Sequence, residues 1–551
     1  MPASFTANES SGSSFSLQAL FDSEEPDAGR NNLTLSLFLV LVSIFLYLPS
    51  FSNGFVWDAK IYFLNDPSIR ELKYFFSGFF EPLFKNVPLD GEQVRSLQYY
   101  RPFIKCLHVL EYQLFGARPY GYNSVNILAN AAVVVLFFRV AAAVTPNRLI
   151  AFLAALLYAV NPTRVEAVAW SYSDSYIIVA LFLLLSLLRY RSGNYRSALA
   201  CYILALITHE TAILLPIILA AHDYLVAGKR KPGDYSWVGW FLLASVIFLA
   251  IRTKVVGAIP LSGVDPATFA NTAAVVMKRY VKMFFWPDAP VAIYPNELFP
   301  AVTAEVAASY VLLVCLAALA FYLGMNDRKS LFCLLWFFIW PAVSLNVGSF
   351  GAFLMMEKLL YLASGGGCVL VAIAVFRAFT GRNIAAALIL AAVCLHAAVT
   401  FSRIGYWQNT RTYLEKGLQQ SPHFYLAHYT LGRNYADAGE SERALLEFQR
   451  TVAEHPRFSL AYNDMGNLYF RKGDLDGAEY AYRKAAETDP ANPLPYFNLG
   501  LVMKRKGDLM SALACMDQYL VRAPQPDPRA LKAILELRQL VNGKGPGAQG
   551  D

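Results

Sequence analysis

Long apolar segments follow one another along the first 405 residues of this 551-residue chain, and they constrain its fold more than any other feature. A helix needs about 20 apolar residues to cross the hydrocarbon core of a bilayer. Hydrophobic residues make up 56% of the chain, which excludes an ordinary soluble domain. The apolar runs predict about eleven spanning helices, at residues 33–51, 124–144, 148–161, 174–189, 197–209, 211–227, 236–252, 305–324, 330–347, 359–377 and 384–402.

Charge and cysteine content exclude several other classes of protein. The net charge of +7 is modest for so long a chain and predicts no nucleic-acid partner. The seven cysteines contain no CxxC pair, so they predict neither a zinc site nor a disulfide framework. The Ser-rich, acidic stretch 1–32 lacks the basic and then apolar layout of a cleaved signal. We expect it to be a disordered tail.

Basic residues between the apolar segments predict the orientation in an inner or plasma membrane. They fall after even-numbered segments, and the positive-inside rule places such loops in the cytoplasm. The long loops 52–123 and 253–304 would then be outside, as would everything after the last segment, because the count is odd. The loops concerned carry Arg148; Arg189, Arg191 and Arg196; Lys229, Arg230 and Lys231; Arg328 and Lys329; and Arg377 and Arg382.

A second, soluble pattern begins after the last apolar segment. Small residues and prolines recur about every 34 residues, the period of tetratricopeptide repeats, which are helical and stack on one another. The sequence therefore predicts an all-α protein, with a polytopic helical bundle over 33–405 followed by three repeats and a capping helix over 421–541. The recurring residues are Gly432, Gly466 and Gly500; Ala444, Ala478 and Ala512; and Pro456, Pro490 and Pro524.

Two sets of repeat residues have predictable roles. One set is apolar and is expected in the core: Leu431, Tyr435, Phe448, Met465, Tyr469, Tyr482, Leu499 and Met516. The other set is polar, and its amides could pair with the backbone of a bound peptide in the inner groove. Hydrogen bonding between helices is the alternative for this second set, which comprises Asn434, Asn463, Asn467 and Asn498. Gly439, Gly473 and Gly507 are expected to end first helices in a left-handed conformation.

Asp58 is the candidate general base. It lies a few residues beyond the outer end of the first segment, and the preceding Phe55, Val56 and Trp57 would shield it partly from water. A carboxylate in such a place can take a proton from a hydroxyl nucleophile. The alternative is an ordinary turn at the membrane interface with an anchoring Trp.

Several cations are candidates for binding a phosphate. Arg101, in a Tyr-Arg-Pro run, carries the planar fork that matches phosphate oxygens. The stretch 278–288 alternates cationic and aromatic residues and could lie in the interface as an amphipathic helix, where Lys278 and Lys282 would meet phosphates. For all three residues, simple contact with lipid headgroups is the alternative.

Further ionisable residues are expected near the same face. Glu166 lies in the second outer loop, and His209-Glu210 lies between the fifth and sixth segments. Ionisable groups at such depths are costly and often functional. A helix cap is the alternative for His209, and no HExxH motif is present to indicate a metal. Glu357-Lys358 opens the tenth segment, where the two residues could instead cap the helix and reach out to the interface.

Taken together, these motifs resemble the transmembrane and tetratricopeptide-repeat-containing proteins and their bacterial relatives. The resemblance rests on FVWD, YRPF, NPTRVEAVAW, THETAILLP and EKLLYLAS in this order, followed by Arg403, Trp407 and the repeats. The chain is a divergent member by this comparison, because Ala59 stands where the family has a second acidic residue after Asp58. Similarly, Asn161-Pro162 replaces His-Pro, His209-Glu210 replaces Lys-Glu, and Glu357-Lys358 replaces Glu-Arg.

The resemblance implies a GT-C glycosyltransferase fold and an inverting sugar transfer from a polyprenyl-phosphate donor. The acceptor would be a Ser or Thr hydroxyl on an exported protein, with Asp58 as the base. Arg101, with Lys278, Lys282 or Lys358, would offset charge on the leaving phosphate. The repeats would hold the acceptor or a partner, membrane lipid would surround the bundle, and a divalent cation is possible.

Two other functions remain open at this point. The chain could be a non-catalytic scaffold in which the helices only anchor the repeats, although anchoring requires a single span. It could also modify a glycolipid or cell-wall polymer, or transport one. The absence of a Walker loop argues against a nucleotide-driven pump.

Overall fold

The computed structural model describes residues 28–85, 99–145, 147–229, 231–257, 263–286, 294, 297–345 and 355–543. The chain separates into two compact units, which meet in sequence at residues 409 and 410. We call them the membrane unit and the repeat unit. Helices make up both units, and the described residues contain no β-strand. The predicted tail 1–32 lies outside the described residues, apart from residues 28–32, which begin the first helix.

Fifteen helices of the membrane unit lie within the described residues. They are α1 Ala28–Tyr47, α2 Asp58–Asn65, α3 Pro102–Phe115, α4 Pro119–Val144, α5 Arg148–Val160, α6 Val165–Ala169, α7 Asp174–Arg191, α8 Tyr195–Leu206, α9 Leu215–Leu225, α10 Ser236–Val256, α11 Pro266–Phe285, α12 Ala304–Asn326, α13 Arg328–Ile339, α14 Leu360–Ala378 and α15 Arg382–Ile404.

Six stretches of the described residues are long and apolar enough to cross a membrane. A seventh is added if the pair Arg148–Val160 and Pro162–Ala169, bent by 53°, counts as one span. Other predicted segments form helices of only 11 or 12 residues, α8, α9 and α13, which rise about 18 Å against a hydrocarbon core of about 30 Å. The count of eleven, and the sidedness that rests on it, stays a prediction. The six stretches are Asn31–Ser52, Pro119–Val144, Ser236–Val256, Ala304–Asn326, Glu357–Ala378 and Arg382–Trp407.

Helix α5 forms the centre of the membrane unit. Every residue from Ile150 to Val160 is buried, and the helix packs against α1, α4, α14 and α15. A helix that is apolar on all sides must be enclosed by others. By contrast, α10, α12 and α15 bury only 17–22% of their most apolar stretch, so large hydrophobic side chains on these helices face outward, where a bilayer would cover them.

The repeat unit consists of paired helices at the predicted period. Its helices are α16 Thr410–Gln420, α17 Tyr425–Asp437, α18 Ser441–Glu454, α19 Ser459–Lys472, α20 Leu475–Thr488, α21 Leu494–Lys506, α22 Leu509–Arg522 and the capping helix α23 Pro528–Val541.

Close packing explains the repeated small residues. A Cβ atom on Gly466 would lie 2.6 Å from the ring of Tyr482, so only glycine allows the second helix to pack this closely. Gly473, which ends α19, adopts the predicted left-handed conformation with φ 83°. Of the predicted core residues, seven are buried, and Tyr469 is half-buried.

Candidate functional site

The turn that carries Asp58 is held from two sides by distant parts of the chain. The backbone N–H of Gly54 donates to the carbonyl of Gln408 at 2.9 Å. The indole N–H of Trp170 donates to the carbonyl of Val56 at 3.0 Å. Trp57, immediately before Asp58, has φ 50°, and among the described residues it alone combines a side chain with positive φ. Such a strained conformation persists only where the surroundings impose it, and strain of this kind concentrates at functional sites.

A sharp bend at Asn161 brings a second motif to this turn. The Asn161 side chain accepts a hydrogen bond from the backbone N–H of Thr163 at 3.1 Å and so starts a new helical turn. The bend ends α5 and turns the following residues, Pro162–Ala169, by 53°. Trp170, at the far end of this segment, stacks on Trp407 with ring centroids 5.5 Å apart. The sequence stretch NPTRVEAVAW is therefore a structural support for the Asp58 turn.

Asp58 is held in a partly buried position at the start of α2. Burial raises the pKa of Asp58 to about 6, and the positive charge of Lys358 partly offsets that rise. A carboxylate with this pKa is largely ionised near neutral pH yet is more basic than an ordinary aspartate. This combination suits a general base.

Lys358 connects Glu166 to the aromatic residues of the site. Its backbone N–H donates to the Glu166 carboxylate at 3.0 Å, and its ammonium lies 3.6 Å from the same carboxylate. The ammonium also lies 4.4 Å from the ring centroid of Trp170 and 5.2 Å from that of Tyr176. The side chain is only 12% exposed, so this cation is directed into the protein.

Glu357, the neighbour of Lys358, pairs with a different cation. Its carboxylate lies 2.5 Å from the guanidinium of Arg403, which also donates to the carbonyl of Pro162 at 3.1 Å. Both side chains of the pair are almost completely buried. A buried ion pair stabilises a fold only while both partners are present. This pair joins the start of α14 to the end of α15 and to the bend after α5.

Arg101 lies immediately before α3, within electrostatic reach of Lys358. Its Nε donates to Glu210 at 2.9 Å, and its guanidinium lies 4.2 Å from the ring centroid of Tyr99. The terminal nitrogens of Arg101 make no hydrogen bond to any other residue that the structure describes. His209 accepts a hydrogen bond from the backbone N–H of Thr211 at 3.2 Å, as a helix cap would. Its Nε2 is buried and has no partner among the described residues.

A cavity opens beside these groups between α7, α13 and α14. Its volume is ≈ 20 Å³, and Lys358 and Thr211 are its polar lining residues. The rest of the lining is aromatic or aliphatic: Tyr176, Val179, Trp340, Leu359, Tyr361 and Leu362. This volume admits about one water molecule, between a polar side at Lys358 and Thr211 and an otherwise apolar lining.

The cluster thus brings together seven of the nine residues predicted for the membrane unit. Asp58, Arg101 and Lys358 interact electrostatically with one another or with a shared neighbour. Four further residues contact members of this group directly or precede them in the chain: Glu166, His209, Glu210 and Glu357. All of these residues lie at one end of the bundle helices, whereas Arg148, Arg191 and Arg382 lie at the other.

The two remaining cations lie elsewhere in the unit. Lys278, on α11, pairs with Glu305 at 3.2 Å. Lys282 is exposed one turn further along the same helix. No contact among the described residues joins either lysine to Asp58. The helix itself is longer than the predicted amphipathic stretch 278–288 and begins at Pro266.

The repeat-unit asparagines make contacts within the repeats. The Asn498 amide donates to the side-chain oxygen of Asn463 at 2.9 Å, and Tyr482 donates to the side-chain oxygen of Asn467 at 2.7 Å. Asn434 is half-buried. Hydrogen bonding between or within repeats, the alternative to peptide binding, therefore accounts for part of this set.

Buried polar residues that the sequence did not indicate complete the support of the site. Arg164 is fully buried, lies 3.8 Å from the ring centroid of Tyr158 and 4.5 Å from that of Tyr361, and donates to Asn130 at 2.5 Å. The position of Arg164 inside a motif was visible in sequence, but its partners are separated from it by up to 197 residues. Periodicity carries no information about such pairs.

Comparison with known proteins gives matches for both units. The TPR repeat family TPR_11 matches residues 466–507. Protein O-mannosyl-transferase F38B6.6 of Caenorhabditis elegans is 24% identical over 434 residues, covering 74% of this chain and 61% of the relative. Protein O-mannosyl-transferase TMTC4 of Mus musculus is 25% identical over 481 residues, covering 73% of this chain and 64% of the relative.

The human protein of the same name is 26% identical over 420 residues, covering 63% of this chain and 56% of the relative. The chain thus spans somewhat less than two thirds of the length of these curated relatives. The resemblance read from the motifs is confirmed: the chain has homologues among the protein O-mannosyl-transferases named TMTC4, at 25–26% identity over most of its length.

Proposed function

We propose that this protein is a membrane glycosyltransferase that transfers mannose from a polyprenyl-phosphate donor to a Ser or Thr hydroxyl of an exported protein. The observation that carries the proposal is the cluster at one end of the membrane unit. There, Asp58 has a pKa of about 6 and lies within electrostatic reach of Lys358. The names of the relatives support protein mannosylation as the class of reaction.

In the proposed reaction, Asp58 takes the proton of the acceptor hydroxyl. The hydroxyl oxygen attacks the anomeric carbon of the donor sugar from the face opposite the phosphate. The bond between that carbon and the phosphate oxygen breaks, and its electron pair leaves with the polyprenyl phosphate. The configuration at the anomeric carbon is inverted. Asp58 later releases its proton to water.

Arg101 and Lys358 are the cations that we assign to the leaving phosphate. Preorganised charges of this kind stabilise developing negative charge more in a water-poor site than in bulk water. Arg101 is anchored through Nε alone, and this arrangement leaves its terminal nitrogens for phosphate oxygens. Glu210 and Glu166 would hold the two cations in place. Lys278 and Lys282 would instead contact the headgroups of membrane lipids.

The lipid-linked donor would place its phosphate beside Lys358, next to the mainly apolar lining of this cavity. The cavity itself has the volume of about one water molecule, so the isoprenoid chain would lie in the surrounding lipid. No soluble nucleotide sugar is required. We place the cluster on the extracytoplasmic side, because Arg148, Arg191 and Arg382 lie at the other ends of their helices.

The repeat unit would hold the acceptor protein or a partner. It contains an open cleft with a volume of ≈ 700 Å³. The lining combines acidic groups, including Glu415, Glu447 and Glu454, with aromatic and aliphatic side chains such as Tyr435 and Leu431. Asn434, Asn463, Asn467 and Asn498 stay candidates for contacts with the backbone of a bound peptide.

A non-catalytic scaffold is the second candidate, and it is favoured by Ala59 at the position of the family's second acidic residue. Against it, burying the charges of Asp58, Arg101 and Lys358 in one place is costly, and an anchor has no use for them. A transferase acting on a glycolipid or cell-wall polymer would use the same site and differ only in the acceptor.

Mass spectrometry of exported proteins separates these candidates. Cells lacking the protein should lose a hexose modification that the wild-type gene restores and Asp58→Asn does not. Asp265→Asn is the matched control: it removes an acidic residue at an exposed helix cap, where asparagine caps equally well, and it should restore the modification. Restoration by Asp58→Asn, at equal protein abundance, would refute the proposal. Unchanged exported proteins with an altered glycolipid would favour the other acceptor class.

A further inference from the structure

A second cluster of ionisable residues lies behind the site and takes no part in the proposed transfer. His108 and Glu111 lie one turn apart on α3, and Asp174 begins α7. One ligand atom from each of the three side chains lies within 4.8 Å of those of the other two. All three residues are at least 97% buried. The cluster therefore joins a helix of the first outer loop to a helix of the bundle.

The cluster has more acceptors than donors. His108 Nε2 lies 2.8 Å from an Asp174 oxygen, and the other oxygen of Asp174 accepts from the backbone N–H of Ser175. The Oε2 atom of Glu111 and the Nδ1 atom of His108 are buried and have no partner among the described residues. Among the described residues, neither the Glu111 carboxylate nor the Asp174 carboxylate forms an ion pair with Lys or Arg.

A nearby buried carboxylate, that of Asp66, has a cation as its partner and serves for comparison. Asp66, also completely buried, lies 2.9 Å from the ammonium of Lys105, which also donates to Ser68. Glu111 has no such cation among the residues that the structure describes. A buried carboxylate without a cation or a hydrogen-bond donor costs several kcal/mol in general, so such groups are rarely left incomplete.

We propose that His108, Glu111 and Asp174 bind one divalent transition-metal ion, Zn²⁺ or Mn²⁺. One imidazole nitrogen with two carboxylate oxygens suits these ions, whereas Mg²⁺ and Ca²⁺ prefer ligands that are all oxygen. Ligand atoms already within 4.8 Å of one another need only small side-chain movements to reach bond lengths of about 2.0–2.2 Å. The hydroxyls of Tyr62 and Tyr172 are buried and have no hydrogen-bond partner among the described residues. A water molecule bound to the ion would give them one.

The ion has a positioning role in this arrangement. It would fasten α3, whose first residue follows Arg101, to the start of α7, and so fix the Arg101 guanidinium relative to Asp58. This inference does not depend on the proposed transfer, because it concerns metal binding alone.

The test is metal content of the full-length protein, purified in detergent without a polyhistidine tag. After exposure to Zn²⁺ or Mn²⁺ and removal of excess ion, elemental analysis should find about one equivalent per chain. Glu111→Gln and Asp174→Asn, which keep side-chain shape, should each lose it, and a chelator should lower the thermal unfolding midpoint of the wild type but not of these two variants. His222→Asn is the control, because His222 forms another buried His–Asp pair, with Asp223 at 3.4 Å, outside the cluster.

Four results would overturn the proposal. A wild-type protein that retains neither ion would mean that Glu111 is held in its protonated form. Variants that retain the ion like the wild type would place it elsewhere. Loss of the ion in His222→Asn together with the other variants would show that the assay reports general destabilisation. Competition by excess Mg²⁺ should leave Zn²⁺ bound, and displacement would contradict the assigned ligand set.

Discussion

The membrane unit and the repeat unit use charge in opposite ways. In the membrane unit, Glu357 and Arg403 form an ion pair with side chains only 2% and 5% exposed. In the repeat unit, the partners of a typical pair, Arg538 and Asp517, are about half exposed. Exposed pairs contribute little to stability, whereas buried charges are expensive unless they are paired. The repeat unit therefore depends on apolar packing, and the membrane unit retains buried charges for a purpose other than stability.

Removing one member of the buried pair should have the largest effect on stability. Arg403→Met leaves Glu357 without its cation and should lower the free energy of unfolding by about 3–5 kcal/mol. Thermal unfolding in detergent measures the change. The double variant Glu357→Gln with Arg403→Met should recover much of the loss, because no unpaired charge remains. A single variant as stable as the wild type would show that this pair is not buried as described.

Asp58→Asn should stabilise the protein at neutral pH while it removes activity. The pKa of Asp58 is raised from an ordinary value near 3.8 to about 6, so the folded state favours the protonated form. Above pH 6 the ionised carboxylate is a cost of about 1–3 kcal/mol, and this cost disappears about one pH unit below the ordinary pKa. The variant should therefore unfold at a higher temperature than the wild type at pH 7.5 and at nearly the same temperature at about pH 3. A gain at acid pH instead would contradict the raised pKa.

Packing, by contrast, should be the sensitive feature of the repeat unit. Gly466→Ala introduces a Cβ atom 2.6 Å from the Tyr482 ring, and that ring is held by the hydrogen bond from its hydroxyl to Asn467. Overpacking of this kind should destabilise the repeats by about 1–3 kcal/mol. Proteolysis of the full-length protein under mild denaturation would detect it as earlier cleavage after residue 410. Cleavage at the wild-type rate would mean that the second helix can move away freely.

The smallest effect is expected at an exposed pair in the same unit. Lys506 pairs with Asp476 and Glu479 at the surface. Lys506→Met should leave the cleavage rate unchanged, since water replaces the lost partner. The variant also serves as the control for Gly466→Ala. A large change in the cleavage rate of Lys506→Met would contradict the proposed difference between the two units in how charge contributes to stability.

The two units also differ in how much of them the sequence predicts. The repeat period, the left-handed glycine at residue 473 and most of the repeat core follow from local spacing, because each repeat contacts mainly its neighbours. The six long apolar stretches are also predictable, because lipid imposes length and composition. Helix α9 falls within the predicted segment 211–227 but has only 11 residues, so whether it crosses the membrane stays a prediction.

The candidate site was predictable only as separate motifs. Glu166 and Lys358 are 192 residues apart, and nothing in either motif indicates that they meet. The same is true of Glu357 with Arg403. His108 and Glu111 have the spacing of neighbours on one helix face and could have been noticed in sequence. Asp174, which completes that cluster, comes from another helix, and only the fold brings it near.

The most direct test of the central claim is the pH dependence of sugar transfer by the purified wild type and Asp58→Asn, with Asp265→Asn as control. If Asp58 is the base, the wild-type kcat/KM should rise about tenfold per pH unit below pH 6 and level off above it. Asp58→Asn should be about 10²–10⁴-fold slower at pH 7.5 and should lack this rise. A rate and profile like those of the wild type in Asp58→Asn would contradict the account.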